Sequence, residues 1–141
     1  MPLDVQRFAS ALVRDASDAI VYADKEGVIR FWNAGAARIF GFSEAEAMGQ
    51  SLDLIIPETL RARHWTGFDK TMETGESRYG GGDILSVPAL RKDGTRISVD
   101  FTILPFRGED GRIEGIAAIL RDVTARFEEL KALRRQVTGS S

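Results

Sequence analysis

Histidine occurs once in these 141 residues, as His64, and cysteine does not occur at all. His64 closes the stretch Pro57-Glu58-Thr59-Leu60-Arg61-Ala62-Arg63-His64, which follows the apolar run Leu54-Ile55-Ile56 and reads as the opening of a helix. A single imidazole on a helix that faces an apolar interior can bind a metal or a haem iron through one ring nitrogen; on a wet face it is an ordinary solvated side chain. Without cysteine there is no disulfide, thiolate site or thiol nucleophile. No serine has a base other than His64, and nothing orients such a pair, so hydrolase chemistry is not expected. Asp15, Asp18, Asp24, Glu26 and Asp110 read as turn and helix-edge carboxylates rather than an acid–base dyad. Gly80-Gly81-Gly82 lacks the Lys-Ser/Thr and helix start of a phosphate loop, and reads as a bent or bulged strand. Arg61 and Arg63 read as a solvated face, and Trp65 as a core or lid aromatic.

The bulk composition sets the frame for these residues. The hydrophobic and charged fractions, 43% and 28%, are those of one ordinary globular domain. A net charge of −2 offers no field for steering onto nucleic acid or anionic lipid, so neither partner is expected. No apolar run approaches the roughly 20 residues of a membrane span, and residues 1–8 lack a signal-peptide core. The expected location is cytoplasmic.

The elements that must position His64 follow from periodicity. Leu3, Val5, Phe8, Leu12 and Val13 sit near helical spacing over residues 3–13. Ala19 to Asp24 and Val28 to Trp32 form a hairpin about Lys25-Glu26-Gly27. Asn33 caps a helix over Ala34 to Phe40 that stops at Gly41; Ser43 with Glu46 forms a capping box for a short helix to Met48. The longest helix spans about Glu58 to Glu73, with Pro57 in its first turn and Gly75 at its end. Glu76 to Val87 reads as a strand with a glycine centre, followed by a turn at Arg91-Lys92-Asp93-Gly94-Thr95. Ile97, Val99, Phe101 and Ile103 alternate with Ser98, Asp100 and Thr102, giving one buried and one wet face. A turn over Gly108 to Gly111 leads into a strand over Ile113 to Leu120. A last helix, about Ala125 to Val137, carries Phe127, Leu130, Leu133 and Val137, and residues 138–141 read as a frayed tail. Strands at both ends with helices between them make an α+β domain, one antiparallel sheet covered on one face.

These residues resemble a PAS domain over about Asp15 to Thr124. The carriers are Tyr22-Ala23-Asp24-Lys25-Glu26-Gly27 with Phe31-Trp32-Asn33-Ala34, then Phe40-Gly41-Phe42-Ser43 with Glu46-Ala47 and Gly49, then Arg91-Lys92-Asp93-Gly94-Thr95 and Arg121-Asp122-Val123-Thr124. The resemblance implies a five-stranded antiparallel sheet with helices on one face enclosing a pocket, plus flanking N- and C-terminal helices. It divides the chain into an N-terminal amphipathic helix (1–14), a PAS domain (15–124), a C-terminal signalling or coiled-coil helix (125–137) and the tail.

Within that family, Pro57-Glu58…Arg61…Arg63-His64 is similar to the histidine segment of haem-binding PAS sensors of the FixL and Dos type. The resemblance implies that His64 is the proximal ligand of haem b. It implies that Lys70 and Arg78 pair with the propionates, and that Phe101 and Ile103 line the distal side. The position of the distal arginine of such sensors falls at about Ile84 or Leu85, which offer no hydrogen-bond donor. The expectation is therefore weak or easily oxidised oxygen binding and better carbon monoxide or nitric oxide binding. Gly82 stands where the family strand has a bulky apolar residue.

The reading is a sensory, signal-transducing PAS module without catalytic activity. It would bind haem b through His64 and sense a diatomic gas or redox state. The alternative is a non-haem PAS module for small-molecule binding or for dimerisation and protein–protein interaction. A flavin photosensor is disfavoured, since its photochemical cysteine is absent. The resemblance and the apolar stripes of the terminal helices imply a homodimer through those helices. An output domain or partner kinase would lie outside this chain.

Overall fold

Alternation along the strands decides which side of the sheet becomes the interior. Ala19, Val21 and Ala23 of β1 (Ala19–Asp24) are buried, as are Ile97 and Val99 of β4 (Arg96–Arg107) and Ile116 and Leu120 of β5 (Ile113–Asp122). With β2 (Ile29–Trp32) and β3 (Leu85–Leu90) they form one five-stranded sheet in the order β2-β1-β5-β4-β3, with every neighbouring pair antiparallel. The structure, a computed structural model, describes residues 2–75 and 85–139.

Among the described residues three helices lie between β2 and β3: α2 (Ala34–Phe40), α3 (Glu44–Ala47) and α4 (Arg61–Thr74), with 3₁₀ turns at Leu52–Ile55 and Glu58–Leu60. They cover the inner face. Trp32, Ala36, Ile39, Phe40, Ala47 and Ile55 share one core cluster with Val21, Ile97, Val99 and Leu120. Trp32 and Phe40 meet at a centroid separation of 5.6 Å, and the indole Nε1 donates to the Phe42 carbonyl at 2.9 Å, so a large apolar ring is buried with its polar atom satisfied. The capping box is present: the Ser43 amide donates to Glu46 Oε1 at 2.9 Å and the Glu46 amide to Ser43 Oγ at 3.1 Å. Lys92 Nζ also donates to the Glu46 carboxylate. With the Ser43 amide it holds that carboxyl down to about 2, which keeps the β3–β4 turn clasped to α3 from neutral to mildly acid pH.

Several boundaries differ from those expected. The helix placed over Glu58 to Glu73 begins as a 3₁₀ turn, because the Leu60 amide bonds back to the Pro57 carbonyl at 2.9 Å, and α4 proper starts at Arg61. The N-terminal helix placed over residues 3–13 is α1 (Val5–Asp15), entered through an Asp4 cap whose Oδ1 accepts from the Arg7 amide at 3.1 Å. β4 continues past Ile103 to Arg107, since pairing with β5 extends to Arg107↔Ile113. The final helix, α5 (Thr124–Gly139), starts at Thr124, and it takes up the first two residues assigned to the tail. The strand expected over Glu76 to Val87 falls for the most part outside the described residues; its described end belongs to β3.

The terminal helices stand apart from this core. α1 buries no side chain, and Leu3, Val5, Phe8 and Leu12 are all exposed. Leu130, Leu133 and Val137 of α5 are exposed as well. The outer sheet face is also apolar where β4 and β5 run longest, with Leu104, Phe106 and Ile119 exposed and Tyr22 edge-on to Phe106 at 6.0 Å. The wet face that alternation predicts therefore holds for Ser98, Asp100 and Thr102 but not for the extension beyond Ile103.

Candidate functional site

α4 carries His64, Trp65 and Phe68 across the inner sheet face. Spacings of three and four residues stack His64 and Phe68 on one side of the helix, with ring centroids 6.0 Å apart, and Trp65 lies edge-on to both, at 4.7 and 5.2 Å. Phe68 is buried with Ala23 of β1 and Ile116 of β5, and Leu52, Trp65, Met72 and Ile103 pack around them. This is a second apolar cluster beside the main core.

Two side chains, Trp65 and Arg61, tie α4 to the turns that precede it. Trp65 Nε1 donates to Asp53 Oδ1 at 2.7 Å, and its ring lies on Gly27, where a Cβ would overlap the indole. Gly27 also has φ +78, so glycine is required there twice over. Arg61 donates to the Ile56 carbonyl at 3.0 Å and the Asp53 carbonyl at 3.3 Å. The expectation that Arg61 is a solvated side chain is thus corrected: it is half-buried and ties α4 to the preceding 3₁₀ turn. Arg63 is exposed, as expected.

His64 is half-buried rather than solvated. Burial holds its imidazole below the ordinary value of 6.5, against the smaller opposing pull of Asp53 and Asp69. It is therefore neutral at pH 7. Its Nδ1 is buried and has no hydrogen-bond partner among the described residues. An unpaired buried polar atom typically costs about 1–3 kcal/mol, which makes it an unusual feature in a well-satisfied interior. A neutral imidazole with an unused nitrogen, set against apolar side chains, has the donor chemistry that a haem iron takes.

The other expected site residues are only partly assembled around it. Ile103 packs in the cluster of Phe68 and Trp65, but Phe101 packs against the main core instead. Lys70 lies on α4 and is exposed. Six residues from His64, it points about 120° away around the helix, so the two side chains do not share a face. The backbone of Leu85 pairs with Phe101 at the start of β3. Arg78 and Ile84 lie outside the described residues, as does Gly80-Gly81-Gly82. Among the described residues no group of three or more His, Asp or Glu side chains would hold a metal ion.

A model of the PAS fold matches residues 13–128. The chain belongs to the PAS family. The PAS domain is 30% identical over 129 residues to the sensor protein FixL of Bradyrhizobium diazoefficiens, covering 86% of this chain and 25% of that protein. It is 25% identical over 130 residues to the oxygen sensor protein DosP of Escherichia coli, covering 92% of this chain and 16% of that one. A crystal structure of a PAS domain from Colwellia psychrerythraea superposes with a TM-score of 0.76 at 24% identity, covering 86% of this chain and 99% of that one. This PAS domain spans a quarter or less of the length of those two curated relatives, and the family match over residues 13–128 covers the five-stranded sheet and the helices between its strands. Both of those relatives are sensors by name. No helix among its described residues is long and apolar enough to cross a membrane.

Sequence reasoning passed over one residue at the other end of this PAS domain. Asn33 was read as a helix cap, and its Oδ1 does accept from the Ala36 amide at 2.9 Å. The same oxygen accepts from the Ile20 amide at 2.8 Å, and Nδ2 donates to the carbonyls of Val13 at 2.9 Å, Asp18 at 3.0 Å and Ala16 at 3.4 Å. The signal available was a polar residue directly after a strand ending in Phe31-Trp32, but the partners lie up to 20 residues away and no local pattern names them.

Proposed function

We propose that this PAS module, over residues 15–124, binds haem b at His64 and senses a small diatomic ligand or the redox state. The observation that carries the reading is His64 itself: half-buried, neutral, with Nδ1 unpaired, and backed by Phe68, Trp65 and Ile103. The name of DosP, an oxygen sensor, supports the same direction. Lys70, and Arg78 beyond the described residues, would meet the propionates near the surface, where a cation is favourable. Ile103 would supply an apolar wall, and Ile84 and Leu85, at the position of the family's distal arginine, carry no side-chain hydrogen-bond donor. When bound, haem would supply an iron able to take a small diatomic ligand or to change its oxidation state. The chain's own part is to present one neutral nitrogen, exclude water and keep the opposite wall apolar. Met72, unbranched and adaptable, is the side chain of the cluster best able to move aside for a ligand.

Absorbance of the protein reconstituted with hemin tests this. Wild type should show a sharp Soret band that His64→Ala loses or shifts. Identical broad spectra would mean non-specific hemin and would end the haem reading.

A second reading, assembly, has its own observation. Four apolar residues at α1 and three on the outer sheet face are left exposed by the described residues. The occupant that fits is a second copy, pairing through the terminal helices and this face, as a homodimer whose two packings carry the signal to an output domain or kinase outside this chain. Full burial of a Leu or Phe is worth roughly 1.5–3 kcal/mol. Phe106→Asp with Leu104→Asp should therefore convert dimer to monomer in sedimentation equilibrium at micromolar concentration. A wild type that sediments as a monomer would exclude this assembly.

A further inference from the structure

α1 and α5 leave the domain at one corner. The first residue of β1 pairs with the end of β5, Ala19↔Leu120, so the segment following α1 and the segment preceding α5 lie side by side although about a hundred residues separate them. One ion pair bridges them. Arg121 Nε donates to Asp18 Oδ1 at 3.2 Å and its terminal nitrogen to Oδ2 at 2.9 Å, a fork that fixes orientation as well as distance.

Both flanks of that bridge are tied to backbone. On the α1 side, Asn33 holds the carbonyls of Val13 and Asp18, and Arg38 donates to the Ser17 carbonyl at 2.7 Å. Gly35 of α2 presses directly on this segment, since a Cβ there would overlap the carbonyl oxygens of Ser17 and Asp18. On the α5 side, Asp122 Oδ1 accepts from the Thr124 amide at 2.9 Å, the Ser98 amide donates to Thr124 Oγ1 at 2.9 Å, and the Val123 amide donates to the Ser98 carbonyl at 2.9 Å. α1 has no fully buried side chain, and its half-buried residues, Ala11 and Val13, lie in the half nearer this exit.

We propose that the Asp18–Arg121 fork, with Asn33 bracing the α1 exit, couples the two terminal helices directly, so that displacement of one is transmitted to the other across the corner of the sheet without passing through the His64 site. The inference does not depend on haem. A module built this way relays a movement arriving from an N-terminal neighbour as well as one arising at its own pocket.

Amide hydrogen exchange on the full chain without hemin tests it, in Asp18→Arg, Arg121→Asp, Arg121→Lys and the doubly exchanged Asp18→Arg/Arg121→Asp protein. Each single variant should speed exchange both at the last turn of α1 (Leu12 to Ala16) and at the first bonded amides of α5 (Glu128 to Leu130). The expected rise is roughly two- to fivefold, the size an exposed ion pair can supply. Arg121→Lys keeps the charge but loses the fork, and should behave like the other single variants. The doubly exchanged protein should return both ends toward wild type. Acceleration confined to the helix beside the substituted residue, or no recovery in the double exchange, would overturn the coupling. Equal acceleration throughout β4 and β5 would assign the pair to stability of the whole domain and overturn it too.

Discussion

Hemin affinity should be constant at neutral and alkaline pH and fall as the medium is acidified through the pKa of folded His64. An axial bond needs an unprotonated ring nitrogen, so protons and iron compete for one atom. Burial lowers the His64 pKa, with Asp53 and Asp69 opposing it only in part. The decline should therefore begin below pH 6.5, the ordinary value, and steepen to about tenfold per unit beneath the folded pKa. Two units beneath it the loss is about a hundredfold. Free protein obeys the same sign. The unfolded chain takes up a proton on His64 near pH 6.5 while the folded chain resists it, so the unfolded state binds more protons as pH falls. The contribution of His64 to stability is complete above 6.5 and is lost as pH falls through the window between the two values. Spectrophotometric hemin titrations from pH 8 to pH 5 measure the first effect. A decline already present between pH 8 and 7 would show an imidazole that is solvated or held charged, and a His64→Ala protein with the same affinity and pH profile would show that His64 is not the ligand.

Asn33→Ala is expected to be among the most destabilising single substitutions in the chain. Removing the side chain takes away the α2 cap, worth about 1 kcal/mol. It also leaves the Ile20 amide and the carbonyls of Val13 and Asp18 without their partner. Each buried group left unpaired costs about 1–3 kcal/mol when water cannot reach it. Those three groups are only part-buried, so water recovers most of that cost. The total should be about 2–4 kcal/mol, a fall of roughly 8–15 °C in Tm for a domain of this size. Urea unfolding gives the value directly, as a lower midpoint at unchanged slope. Asn33→Asp separates the two halves of the role: it keeps the acceptor for Ile20 and Ala36 and removes the donor that grips the α1 exit. It should recover part of the loss. A cost below 1 kcal/mol for Asn33→Ala would show that the exit segment finds other partners.

Much of this fold is written in short-range pattern. Asn33, Ser43 with Glu46, Gly41 and Gly75 mark helix ends because a cap satisfies backbone groups three or four residues away. The alternation from Ile97 to Ile103 marks a strand because successive side chains face opposite ways. The site was legible only as a composition: a single imidazole in a helix, with its half-burial left undecided. Ordering of the sheet, β1 beside β5 and β4 between β5 and β3, depends on which apolar faces meet across a hundred residues, and no local window holds that information. The same is true of the residues that give the site its character. Trp65 is fixed by Asp53 and by the missing Cβ of Gly27, and Phe101 and Ile103, neighbours on one strand face, are drawn into different clusters by what α2 and α4 bring opposite them. By itself, then, the sequence determined the element types, most of their ends, the absence of thiol chemistry and the place of the single imidazole. Only the tertiary structure decided that this imidazole is half-buried and neutral with a nitrogen unpaired, and that Asp18 and Arg121 join the two helix exits. Desolvation and pairing are properties of what surrounds a side chain, and those surroundings come from distant parts of the chain.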